Sequence, residues 1–109
     1  MALDITTDEC AGVARVRVAG EVDVSCASEL RDALEGALGG GAGRVVCDLS
    51  DMSFIDSTGI GVLIGFAGRA REAGVPFELE NANARTLRTL RLLGLDDQLR
   101  SIGDDATRG

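Results

Sequence analysis

The run from Ser57 to Ala70, STGIGVLIGFAGRA, carries glycine at 59, 61, 65 and 68 inside an apolar stretch with Val62, Leu63, Ile64 and Phe66. The apolar residues ask for a buried helix, yet each glycine costs a helix about 1 kcal/mol relative to alanine. Together they remove roughly 3–4 kcal/mol of propensity, which tertiary packing must offset. A helical wheel at about 100° per residue separates them into two kinds. Gly61, Gly65 and Gly68 fall on the side of Ser57. Ile60, Leu63, Phe66, Ala67 and Ala70 gather opposite, and Gly59 falls among them. The wheel predicts that Gly59 lets helix and sheet approach, whereas the other three pave a smooth exposed strip beneath Ser57. A glycine-rich composition alone would scatter glycines without this alignment.

The flanking pattern is that of an α/β domain. Leu3 and Ile5 alternate with Asp4 and Thr6; after a turn containing Gly12, Val16 and Val18 alternate with Arg15 and Arg17. Both runs have the period of half-buried strands and suggest an antiparallel hairpin. Gly20-Glu21-Val22-Asp23 is expected as a loop. A helix follows with Ala27, Leu30, Leu34, Ala37 and Leu38 on one face and Ser25 or Cys26 near its cap, ending at the glycines of 39–43. Arg44 to Leu49 is apolar on both faces, as a central strand is. The glycine-bearing helix runs to about Ala73, with Gly74 as its stop, and Val75 to Leu79 is a third parallel strand. Asn83 caps a helix carrying Leu87, Leu90 and Leu93 inward. Leu95, Leu99 and Ile102 suggest a short last helix, with a frayed tail after about residue 103. The expected fold is one domain over residues 1–109. Its sheet is mixed, mostly parallel and four-stranded, with an N-terminal antiparallel hairpin and helices packed on it.

Composition removes most function classes. All 11 basic residues are Arg, and the chain has no His, Lys, Tyr or Trp. The commonest general base and metal ligand is therefore missing, as are the lysines of phosphate loops, Schiff bases and phospho-receiver sites. A net charge of −7 repels phosphate backbones, so nucleic acid is not an expected partner. No leader and no apolar run of spanning length is present, so a cytoplasmic protein with no membrane partner is expected. Cys10, Cys26 and Cys47 match neither a metal knuckle nor a disulfide framework and read as reduced, partly buried thiols. No cofactor or metal is expected.

In a parallel sheet, ligands and partners gather where loops leave the carboxyl ends of the strands. Two loops do so on consecutive strands, Gly20–Ser25 and Asp51–Ser57, which brings Asp23 near Asp56 and Ser57. Either Asp56 or Ser57 caps the helix, since both are preferred capping types, and the other is left free. A serine-nucleophile enzyme needs a base, and Asp56 alone is a poor one, so this remains a remote alternative. Arg85, Arg88 and Arg91 form a basic stripe that reads as a solvated face.

Asp48-Leu49-Ser50, followed by Phe54-Ile55-Asp56-Ser57-Thr58-Gly59-Ile60-Gly61-Val62-Leu63, resembles the signature of the anti-sigma factor antagonists, the small STAS domains of bacteria. Gly20-Glu21-Val22-Asp23 is similar to that family's first loop. Asn83 to Leu95, with Leu92-Leu93-Gly94-Leu95, is similar to its C-terminal helix and turn. Cys26 departs from the Thr or Asn often found there, which bears only on how the first helix is capped. The resemblance implies a protein that binds an anti-sigma factor with serine kinase activity and thereby frees a sigma factor. Phosphorylation at Ser57 would switch binding off, and a phosphatase would reverse it; Thr58 is a second hydroxyl beside the acceptor. Resemblance and wheel together imply a partner-binding set of Asp23, Asp56, Ser57, Thr58, Gly61, Ile64, Gly65 and Gly68, with no catalytic residue. The alternative is a STAS adaptor that docks on a transporter or other complex without any phospho-switch.

Overall fold

Period-two alternation sets the layers of the computed structural model, which describes residues 3–95. β1 (Asp4–Cys10) and β2 (Val13–Val22) form an antiparallel hairpin in register from Asp4↔Ala19 to Cys10↔Val13. The chain then crosses through α1 (Ala27–Gly39) to β3 (Arg44–Ile55), which pairs in parallel with β2. A second crossing through α2 (Ser57–Ala73) leads to β4 (Phe77–Glu80), parallel to β3, and α3 (Ala84–Leu92) follows. The sheet order is β1-β2-β3-β4, the mixed four-stranded sheet that the sequence pattern predicts.

Alternate residues of the strands enter one core. Val16 and Val18 of β2, Cys47 and Leu49 of β3, and Phe77 and Leu79 of β4 join Leu30 and Leu34 of α1 and Leu63 and Phe66 of α2 in a single buried cluster. Both helices therefore cover the same face of the sheet. Phe66 meets Phe77 edge to face, with ring centroids 4.8 Å apart, the arrangement that aromatic quadrupoles favour. Burial pushes the Cys47 thiol up to about 12, so it behaves as a small apolar filler rather than a nucleophile.

The opposite face of the sheet is polar. Arg15 reaches Glu80 at 2.7 Å, Arg17 reaches Asp48 at 3.4 Å, and Arg44 pairs with Glu78. Val46 and Asp48 are buried there, as an apolar central strand implies, but they lie among ion pairs and not under a second helix layer. Val46 has Arg15 and Glu78 as register neighbours, and the long arginine stems on this face shield apolar surface. Asp48 also accepts from Asn81 Nδ2 at 3.1 Å and from the Ser50 N–H at 3.0 Å. Burial raises its carboxyl pKa, but the hydrogen bonds from Asn81, Ser50 and Arg17 outweigh this and hold it below the ordinary carboxylate range.

The structure corrects several local expectations. Gly20–Val22 and Asp51–Ile55 are strand, not loop, because β2 and β3 keep pairing past two register shifts. Each shift places an extra residue in β3, and Gly20 takes a φ of 102° beside them, where a residue with a Cβ would be strained. β4 starts at Phe77 because the Val75 N–H is drawn back to the Ala70 carbonyl at the end of α2. Leu93 is half exposed and not inward, because α3 stops at Leu92; Thr86 and Leu90, one turn apart, form its buried side. Cys10 is exposed, beside the turn of the hairpin, whereas Cys26 is half-buried. The short last helix beyond Leu95 and the tail after residue 103 lie outside the described residues.

Two predictions follow from this packing. A Cβ on Gly59 would sit 2.6 Å from Ile55 Cγ1 and 2.7 Å from Val22 Cγ1, and both neighbours are β-branched and stiff. Gly59→Ala should therefore lower the urea midpoint, by about 1–3 kcal/mol of overpacking against a propensity gain of about 1 kcal/mol. Gly61→Ala meets open space and should raise it. Equal midpoints for the two variants would contradict the packing role. The second concerns acid. A carboxyl held below its unfolded pKa contributes stability above the unfolded value and loses it as pH falls through the folded one. Asp48→Asn should thus be less stable than the parent at neutral pH, with the gap closing below about pH 4. A gap independent of pH in acid denaturation would reject the assignment.

Candidate functional site

β2 and β3 end side by side, with Val22 opposite Ile55 and the Asp56 N–H donating to the Val22 carbonyl at 3.0 Å. This tie delivers Asp56 to the mouth of α2 in an extended conformation, φ −97° and ψ −175°, as a capping residue requires. Its Oδ1 accepts from the Thr58 N–H at 2.9 Å and the Gly59 N–H at 3.1 Å, and its carbonyl accepts from the Ile60 N–H at 2.9 Å. The capping question is thereby answered: Asp56 is the cap. Ser57 is the first helical residue, exposed, and its hydroxyl makes no hydrogen bond among the described residues. Thr58 is exposed beside it.

Asp23 stands one residue beyond the end of β2 and organises the turn into α1. Its Oδ1 accepts from Ser25 Oγ at 2.6 Å, from the Ser25 N–H at 3.0 Å and from Cys26 Sγ at 3.5 Å. The Ser25 hydroxyl first, then the Ser25 amide and the Cys26 thiol, hold its carboxyl below the usual range. Its carbonyl also takes the N–H groups of Cys26 and Ala27. Neither Ser25 nor Cys26 caps α1 through its side chain; the Asp23 turn does that work, and Val24 is left 74% exposed at its tip.

Along α2, Gly61 and Gly65 are exposed and Gly68 is half-buried, and a Cβ at any of the three would meet nothing within 4 Å. Ile64, part of the run that asks for burial, is instead 41% exposed next to this strip. The strip opens on one side into a shallow groove of about 480 Å³ between α1 and α2, edged by the Arg69–Glu35 ion pair at 2.6 Å. On the other side, a cleft of about 650 Å³ runs between Ser57 and α3, bordered by Phe54, Ile60, Arg85, Thr86 and Leu93. Sequence reasoning missed this cleft. Its walls come from three separate elements, and the only hint was Leu93, an apolar residue at an inward-looking position that stays half exposed. No group of three potential metal ligands occurs among the described residues, and no helix there is long and apolar enough to cross a membrane. The site offers an accessible hydroxyl, a smooth helix face and exposed apolar side chains at Val24, Phe54 and Ile64. That inventory suits contact with another protein.

Comparison with known proteins agrees with the geometry. A family model described as "Mlab, STAS domain" matches residues 5–102. The anti-sigma-B factor antagonist of Bacillus subtilis is 39% identical over 83 residues, which cover 76% of this chain and 75% of that protein. The anti-sigma-F factor antagonist RsfB of Mycobacterium tuberculosis is 28% identical over 98 residues, 90% of this chain and 80% of that one. The crystal structure of an anti-sigma factor antagonist from Mycobacterium paratuberculosis superposes with a TM-score of 0.82 at 27% identity, over 98% of this chain and 92% of that chain. The chain belongs to the STAS domain family, and its sequence relatives include anti-sigma factor antagonists.

Proposed function

We propose that this protein is an anti-sigma factor antagonist whose binding is switched by phosphorylation of Ser57. The unmodified form docks an anti-sigma factor on the face made by Ser57, Thr58, Gly61, Ile64, Gly65 and Gly68, with the turns at Asp23 and Asp56 at its edge. Docking releases a sigma factor. The anti-sigma factor is also the kinase: Ser57 Oγ bonds to the γ-phosphorus of ATP, the bond to ADP breaks, and the hydroxyl proton passes to a base on the kinase. A phosphatase reverses the change by delivering water to phosphorus, which frees inorganic phosphate and restores the hydroxyl. The partners are thus two proteins, with neither nucleic acid nor membrane involved, and the cytoplasm is where they would meet.

The observation that carries this reading is the free, exposed hydroxyl of Ser57 at the head of the glycine strip, left unused because Asp56 takes the cap. A phosphate there adds about −1.5 to −2 charges at neutral pH. A partner closing over it must strip water from a near-dianion, whereas the bare hydroxyl costs little to cover. The glycines let a partner's backbone approach α2 closely. An adaptor without a switch would use the same strip but leave the hydroxyl idle. A serine-nucleophile enzyme would need a base, and the chain has neither His nor Lys.

Reaction with candidate kinases and ATP, followed by intact mass and peptide mapping, should place one phosphate on Ser57, and Ser57→Ala should abolish it. The phosphorylated form should bind the anti-sigma factor roughly 30-fold or more weakly while keeping its fold. Gly65→Leu should lose binding without any phosphate. Label on Thr58 alone, or equal affinity of the two forms, would sink the proposal.

A further inference from the structure

We propose that the cleft between Ser57 and α3 is a built receptor for the Ser57 phosphate, with Arg85 as its cation and the Thr86 hydroxyl as a second donor. This rests on Ser57 as the modified residue and goes beyond it by assigning where the phosphate resides. The N-terminus of α2 offers a phosphate few free amides. Asp56 already occupies the N–H groups of Thr58 and Gly59 through its carboxylate and that of Ile60 through its carbonyl. That leaves the Ser57 N–H at the helix end, one donor for three phosphate oxygens beside the Asp56 carboxylate, so further donors are needed.

The cleft supplies them. Arg85 lines the same cleft as Ser57, and its guanidinium has no ion pair or hydrogen bond among the described residues. Among the described residues that line the cleft, only Asp56 and Arg85 are charged, so Arg85 is the cation there that can offset both carboxylate and phosphate. Thr86 lines it as well and is only 3% exposed. Its amide donates to Asn83 Oδ1 at 2.8 Å, yet its hydroxyl has no partner among the described residues. A buried hydroxyl without a partner is uncommon, and a phosphate oxygen in the cleft would satisfy it. The neighbouring Thr89 differs, since its hydroxyl is satisfied by the Arg85 carbonyl at 3.2 Å. A guanidinium fork and a hydroxyl lining one cleft suit the terminal oxygens of a phosphate monoester. In the unmodified protein the cleft stays open to the docking face; in the modified one the phosphate draws Arg85 across it.

Phosphoserine incorporated at position 57 of the full chain during translation tests this without any kinase. The phosphorus NMR shift, followed against pH, gives the second phosphate pKa, which lies near 6 for a free phosphoserine. An adjacent guanidinium favours the dianion. Arg85→Gln should therefore raise that pKa by about half a unit or more, and Arg85→Lys should fall between the two. Thr86→Val should raise it by less, and an unchanged value would remove Thr86 from the receptor. Arg88→Gln, on the same helix but outside the cleft lining, should leave it unmoved. An unchanged pKa in Arg85→Gln, or an equal rise in Arg88→Gln, overturns the receptor. Failure of the kinase assay would instead overturn the functional reading and leave this titration standing.

Discussion

The carboxylate of Asp56 joins the sheet, the helix and the site. Its own N–H is pinned to Val22 at the end of β2, and its side chain closes the first turn of α2 through Thr58 and Gly59. Three consequences follow from one residue. The end of β3 is locked beside the end of β2, α2 starts at a fixed point over the sheet, and the next side chain is released from structural duty. A serine in the cap position would have spent its hydroxyl on the helix; one place later, it faces solvent.

The glycines of α2 divide along the same line. Gly59 has Ile55 and Val22 where its side chain would be, so the helix rests close on the strand ends and Asp56 stays within reach of the first amides. Gly61, Gly65 and Gly68 have no such neighbour, and together they cost the helix roughly 3 kcal/mol. Burial of Ile60, Leu63, Phe66, Ala67 and Ala70 offsets that cost, since a large apolar side chain contributes about 1.5–3 kcal/mol when fully buried. The fold would tolerate alanine at these three positions. The core therefore does not account for their emptiness, whereas the proposed docking face does.

Features that depend on local period were legible in the sequence. The hairpin, the buried faces of α1 and α2, the two classes of glycine and the stop at Gly74 all follow from spacing. What sequence reading missed depends on distant partners. Gly20 and the polar residues at 50–53 look like loop punctuation, but pairing between β2 and β3 carries strand through them by way of bulges. The polar face of the sheet hides in the same way: besides the local Ser50 N–H, Asp48 is satisfied by Arg17 and Asn81, which come to it from other segments. The pair Asp56 and Ser57 could be narrowed to one cap and one free residue, but the choice needed backbone angles. The cleft beside Ser57 was not read from the sequence, because Leu93 was a faint hint and Thr86 gives no sign that its hydroxyl will be buried and unpartnered.

The central claim is the division of labour between Asp56 and Ser57, and paired stability measurements test it most directly. Urea unfolding of Asp56→Ala and Ser57→Ala, each unphosphorylated, separates the roles without reference to any partner. Loss of a capping carboxylate should cost about 0.5–2 kcal/mol, whereas loss of a free surface hydroxyl should stay within about 0.5 kcal/mol of the parent. The opposite ranking, with Ser57→Ala the more damaging, would mean that the serine holds the helix and is not free to act as a switch.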